Sequence, residues 1–173
     1  DWKIAPDPQL GETTDIAALT ALGDAGVLAM VCDSTNVFVD GESGSEGTVR
    51  ENLVDLIGEL KGRVAVTTFA SNVARVATVI EAARIAGRSV CLVGRSMHKI
   101  TDAAIATGVI KNIPDLVSEE SAGALPDDNV LFLCTGSQGE ARAALGRIAR
   151  NDHRHISLGD GETVIFSSRV ITG

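Results

Sequence analysis

The sequence predicts an α/β chain built on a doubly wound, mostly parallel sheet flanked by helices. Two observations carry this. Short apolar runs rich in Val, Leu and Ile recur at Val27–Cys32, Val64–Phe69, Ser89–Val93, Val130–Cys134 and Thr163–Ser168. They are continuous rather than alternating, as expected for strands covered on both faces. Helix-like segments separate them at Glu46–Leu60, Asn72–Ala86, Ser96–Thr107 and Gln138–Asn151. Such strand–helix alternation is the pattern of a parallel sheet with right-handed crossovers.

The segment Asn72–Ala86 has the clearest periodicity. Val73, Val76, Val79, Ile80 and Ala83 recur at three- and four-residue steps and make one apolar face. Arg75, Glu81 and Arg84 fall off that face, and Gly87 supplies a stop. Three stretches read as connections. Ala5–Glu12 holds two prolines, Val39–Glu46 is polar and glycine-rich, and Ser118–Asn129 reads as a surface turn.

Composition bounds the function. The 173 residues are 45% hydrophobic, which fits a globular α/β chain and excludes a disordered one. No apolar run approaches the ~20 residues of a membrane helix, and no signal-peptide pattern opens the chain. Cys32, Cys91 and Cys134 each lie in or beside an apolar run and have no CxxC spacing, so they read as buried reduced thiols in a cytoplasmic protein. The net charge of −8 argues against a wholly basic surface. A nucleic-acid role would need a local basic stripe or backbone amides.

Ligands of parallel α/β sheets bind beyond the carboxyl ends of the strands. Those ends read CDSTN (32–36), FASN (69–72), VGRSM (93–97), LCTGSQGE (133–140) and SSRV (167–170). They offer hydroxyls, free amides and helix N-termini, which suit phosphate groups. Thr135-Gly136-Ser137 is the clearest case, because glycine lets backbone approach a ligand closely. A plain alternative makes Ser137 the N-cap of the next helix and Glu140 its capping-box partner. Asp33 reads as a turn or cap residue, as a carboxylate orienting a metal-ligating histidine, or as a receiver-type phospho-acceptor. The missing acidic pair and lysine count against the last. Arg95 suits a bidentate phosphate grip, or is a solvated surface residue, and His98 reads as a surface histidine. His153 and His155 have the spacing of two zinc ligands on a strand, but no third ligand is near, and a polar connection is the better reading.

The strings GVLAMVCDSTN, KGRVAVTTFASNVARV, GRSVCLVGRSM, VLFLCTGSQGEARAAL and ETVIFSSRVITG occur in this order, and together they resemble the ribonuclease J family. The resemblance implies a metallo-β-lactamase domain carrying an inserted β-CASP domain. Residues 1–43 would be the tail of the former, 44–168 most of the latter, and 169–173 the return. Asp1, in Asp1-Trp2-Lys3, resembles the zinc-bridging aspartate of a GDFK segment. Asp33 matches the aspartate of the first β-CASP motif. Ser71, in the FASN loop, resembles a serine near the pocket for the RNA 5′-monophosphate, and Asn72 beside it would also bind RNA or phosphate. Arg95, Ser96 and Thr135–Gly139 would face the RNA channel. Trp2 stands where Phe is commoner, and Ala141 and Thr172 where Pro is expected.

The implied activity is zinc-dependent RNA hydrolysis, 5′-to-3′ and also internal, with two zinc ions in the complete enzyme. RNA, preferably 5′-monophosphorylated, would be the substrate, and the full protein would be a homo-oligomer. No HxHxDH or SGHA-type segment is present, so this stretch alone is expected neither to hold two zincs nor to cut RNA. The rival reading is a stand-alone α/β module that binds a nucleotide or phosphate without catalysis.

Overall fold

The computed structural model describes residues 4, 7–34, 37–41 and 44–169. The chain divides into two compact units, Asp1–Val49 and Arg50–Gly173.

In the first unit, helix α1 (Ile16–Ala25) opens with Asp15, whose carboxylate accepts from the Ala18 amide at 2.8 Å. No α1 residue is buried. The expected strand Val27–Cys32 is not formed, and the segment is irregular. Leu28 and Val31 are fully exposed. A strand needs a neighbour to accept its amides and cover its side chains, and the described residues supply neither here. Asp33 is therefore an exposed residue of an irregular segment, not the end of a strand. Helix α2 (Glu46–Glu59) forms where helical periodicity placed it, and the Ser45 hydroxyl accepts from the Thr48 amide at 3.0 Å.

The second unit holds a four-stranded sheet: β1 (Val64–Thr67), β2 (Ser89–Val93), β3 (Val130–Cys134) and β4 (Thr163–Phe166). Strand order is β2-β3-β1-β4, and every pairing is parallel. The connecting helices are α3 (Val73–Ile85), α4 (Arg95–Ala106), the short α5 (Glu119–Ala122) and α6 (Ala144–Ala149). Cys91, Val93, Val130, Phe132 and Cys134 project to one face and pack with Ala122 of α5 and Ala144, Leu145 and Ile148 of α6. The alternate positions Val64, Val66, Val90, Leu92, Leu131 and Leu133 are equally buried on the other face. Helix α3 lies against β2 and β3, burying Val76, Val79, Ile80 and Ala83. Burial on both faces explains why these strands are apolar throughout.

Arg88, just ahead of β2, is 6% exposed. Its guanidinium donates to the carbonyls of Leu60 (2.5 Å), Gly62 (2.7 Å) and Val130 (3.3 Å). It closes the amino-terminal edge of the sheet, and desolvation lowers its pKa.

The expected helix Gln138–Asn151 begins only at Ala144. Gly136 and Gly139 have φ of +119° and +77°, outside helical space, so residues 136–143 form a series of turns. Ser118–Asn129 is a connection that includes α5 and one 3₁₀ turn.

Candidate nucleic-acid interface

Strands β1 and β3 are neighbours, but their exits diverge: β1 leads to α3 on one face, β3 to α6 on the other. That is a topological switch point, and it leaves a crevice beyond the carboxyl ends of the two strands.

The β1 exit is Thr68–Asn72. The Thr68 amide donates to the Cys134 carbonyl at 3.2 Å, which extends the β1–β3 ladder by one residue. The Asn72 amide closes a turn on the Phe69 carbonyl at 3.0 Å, and the Asn72 side chain accepts from the Arg75 amide at 3.1 Å. Asn72 is thus committed as the N-cap of α3. Ser71 projects into solvent.

At the β3 exit, Thr135 anchors both ends of the turn region. Its carbonyl accepts from the Leu145 amide (2.9 Å), and its hydroxyl from the Ala144 amide (3.2 Å). Gly136 sits so close to α6 that a β-carbon there would come within 2.9 Å of Leu145 Cβ. Ser137 is 4% exposed, and its hydroxyl has no hydrogen-bond partner. It is not the cap of the next helix: Ala143 holds the N-cap position. Nor does Glu140 complete a capping box, since its carboxylate accepts from the Gln138 amide at 2.9 Å. Among the described residues, the amides of Ser71, Gly136, Ser137 and Ser168 find no acceptor. Gly136, Ser137 and Ser168 are buried or partly buried and Ser71 is exposed, and amides without an acceptor are ready donors to an anion.

The β2 exit turns at Gly94, whose φ is +109°. Arg95 and Ser96 follow as the exposed first residues of α4, and His98 is exposed on the next turn.

The β4 exit, Ser167–Arg169, is tied to its neighbours on both sides. The Ser167 carbonyl accepts from Arg75 Nη1 (2.8 Å) and from the Thr68 hydroxyl (3.2 Å), while Ser167 Oγ also accepts from Arg75 (2.8 Å). From the β3 side, Gln138 Nε2 donates to the Arg169 carbonyl (2.8 Å) and Ser168 Oγ (3.3 Å). The sequence assigned no role to Arg75, and placed Gln138 only within the Thr135–Gly139 loop expected to face the RNA channel. The one signal for Arg75 was a cation off the apolar face of α3, one turn from the β1 exit.

Charged groups stand at both ends of the sheet. At the amino-terminal edge, Asp127 (2.7 Å) and Glu162 (3.4 Å) hold Arg63. A polar cleft of about 440 Å³ opens there between Lys61, Arg63, Asp127 and Glu162. Arg75 and Arg95 stand at the other end, beside the strand exits. The net charge of −8 is thus accompanied by two cations, Arg75 and Arg95, at the strand exits.

His153–His155 is irregular, so the two imidazoles do not share a strand face. His153 Nε2 lies 3.9 Å from a Glu119 carboxylate oxygen, with its side chain 6% exposed.

Comparison with known proteins decides the family. The family model for the beta-CASP domain of ribonuclease J matches residues 61–173, the sheet and all four strand exits. The chain belongs to the ribonuclease J beta-CASP family. It is similar to ribonuclease J of Sinorhizobium meliloti, with 46% identity over the whole chain and 31% of that protein. Ribonuclease J of Corynebacterium glutamicum is 41% identical, again over the whole chain, which covers 24% of it. For Thermus thermophilus ribonuclease J the identity is 40%, covering 30% of that protein. The chain thus spans about a third or less of these curated relatives.

The resemblance to ribonuclease J implied a zinc pair. Among the described residues, no group of three or more His, Cys, Asp or Glu stands together to hold a metal ion. Asp1, the expected ligand, lies outside the described residues. The described residues alone do not fit a two-metal centre.

Proposed function

We propose that this chain is the RNA-gripping section of a ribonuclease whose metal-binding histidines lie elsewhere in a longer protein. The observation that carries this reading is the crevice at the β1–β3 switch point. There the buried Ser137 hydroxyl has no partner, and among the described residues the amides of Ser71, Gly136, Ser137 and Ser168, on the loops that leave β1, β3 and β4, have no acceptor. Phosphate oxygens are the acceptors such donors match.

Ser71 and Ser137 take phosphate oxygens of the RNA strand, Arg95 and Ser96 take the next stretch of backbone, and Asn72 and Thr135 hold their loops in shape. A 5′-monophosphate, with more charge than an internal phosphodiester, is the preferred end. Residues 1–43 belong to a metallo-β-lactamase domain, residues 44–168 to the β-CASP domain, and residues 169–173 lead back. Asp1 contributes to a pair of zinc ions held mainly by chain outside this sequence, and Asp33 supports that centre. The complete protein removes nucleotides from the 5′ end and also cuts internally. It works as a homo-oligomer in the cytoplasm, a compartment that suits the free Cys91 and Cys134. No helix among the described residues is long and apolar enough to cross a membrane.

The test is digestion of 5′-labelled RNA by the full-length protein, with zinc and after chelation. Zinc-dependent loss of 5′-monophosphorylated RNA, faster than of 5′-hydroxyl RNA, is the expected result. Mononucleotide binding without any RNA cleavage would favour a non-catalytic phosphate-binding module.

A further inference from the structure

We infer that Arg75 and Gln138 are positioning residues that act jointly, each through the Ser167–Arg169 turn, to set one wall of the RNA crevice. This rests on the ribonuclease reading above. The turn bridges the two loops that diverge at the switch point. Arg75 and Thr68 hold it from the β1 side, and Gln138 holds it from the β3 side.

The chemistry of the two grips is complementary. Arg75 donates from one nitrogen to both the carbonyl and the hydroxyl of Ser167, so it fixes the peptide plane and the side-chain rotamer together. Gln138 donates to the carbonyl of Arg169 and the hydroxyl of Ser168, two residues further along. The Ser168 hydroxyl reaches back 3.5 Å toward the Ser137 carbonyl, so the turn leans on the loop that carries the unpartnered Ser137 hydroxyl. These contacts leave the Ser168 amide without an acceptor among the described residues. The Ser167 and Arg169 carbonyls are taken by the clamp, and the Ser168 amide remains as a donor. Ser167 itself is buried, so water does not readily replace its bonds to Arg75 if that grip is removed.

Two grips on one short turn make a specific prediction. Releasing either side frees the wall, so the second release adds little. Side chains with independent structural roles would instead add.

The experiment is a double-mutant cycle on the full-length protein, with Arg75→Met, Gln138→Leu and the pair, reading KM and kcat for a 5′-monophosphorylated oligonucleotide. Each single change should raise KM roughly tenfold or more with kcat little changed, since misplacing a binding wall costs at least that much. The double variant should match the weaker single within about threefold. Arg75→Lys, which keeps a donor, should recover part of the loss. Unchanged KM in folded single variants, or fully additive losses, would overturn the inference. If Arg75→Met does not fold, Gln138→Leu and Ser167→Ala carry the same cycle. Absence of RNA cleavage by the unmutated protein would instead strike the ribonuclease reading.

Discussion

Gly94 and Thr135 meet so closely that a β-carbon on Gly94 would stand 2.9 Å from the Thr135 hydroxyl oxygen. The exits of β2 and β3 are thus packed backbone to side chain. Gly94 also has φ of +109°, a conformation that disfavours any side chain. Gly94→Ala should cost about 1–3 kcal/mol of stability and push Thr135 off the Ala144 amide. A urea unfolding midpoint lowered at unchanged slope would show it, and an unshifted midpoint would refute it.

Ser137 makes the opposite prediction. A buried hydroxyl with no partner is a destabilising feature, and removing it relieves that cost. Ser137→Ala should leave the melting temperature equal or higher and still weaken RNA binding by the full-length protein several-fold. A variant that loses stability and binds RNA normally would mean the hydroxyl serves the fold.

Arg88 marks the contrast between the two ends of the sheet. Its guanidinium serves three carbonyls at the amino-terminal edge. Arg88→Met should leave those carbonyls unserved and destabilise by about 2–3 kcal/mol. RNA affinity of the folded fraction should be unchanged. Denaturant titration and binding at matched temperature separate the two effects.

Much of this was legible in the sequence. Ser89–Val93 and Val130–Cys134 form strands with those bounds, because continuous apolar runs have few other fates in a two-sided sheet. The helix over residues 72–86 was readable from its apolar spacing and from Gly87 as a stop, and the structure adds Asn72 as its cap. Val27–Cys32 has the same composition and forms no strand, since β structure depends on a neighbour that local sequence does not record. The late start of α6 was signalled by Gly136 and Gly139, whose conformations outweighed the helix-favouring residues that follow. Ser71, Arg95, Ser96, Thr135, Gly136 and Ser137 do lie at the carboxyl ends of the strands. The contacts of Arg75 and Gln138 with residues 167–169 were not legible, because those partners lie 92 and 31 residues away.

His153 should confer a pH dependence on stability. Burial lowers its pKa below the ordinary 6.5, against a smaller opposing pull from Glu119. The unfolded chain then takes up a proton more readily than the native one. This stabilising contribution is present above the unfolded pKa and is lost as pH falls through the lower native value. The urea midpoint should drop between pH 7.5 and 5, and less steeply for His153→Gln. An equal slope in the variant would contradict it.

Cys91 and Cys134 should be inert in the native state. Burial pushes both thiols up to about 12, so almost no thiolate exists at pH 8. Neither should react with a thiol reagent until denaturant is added, and rapid native labelling of either would count against a closed core.

The central claim is that RNA is held at the carboxyl ends of the strands. Its most direct test is the affinity of full-length protein for a 5′-monophosphorylated oligonucleotide, measured by fluorescence anisotropy at fixed salt. Ser137→Ala combined with Arg95→Ala removes donors at that end, and Lys61→Ala combined with Arg63→Ala removes cations at the other. The account predicts a loss of at least about tenfold for the first pair, as for removed charge-assisted phosphate contacts, and less than about twofold for the second. Equal losses, or a larger loss from the Lys61 and Arg63 pair, would contradict it.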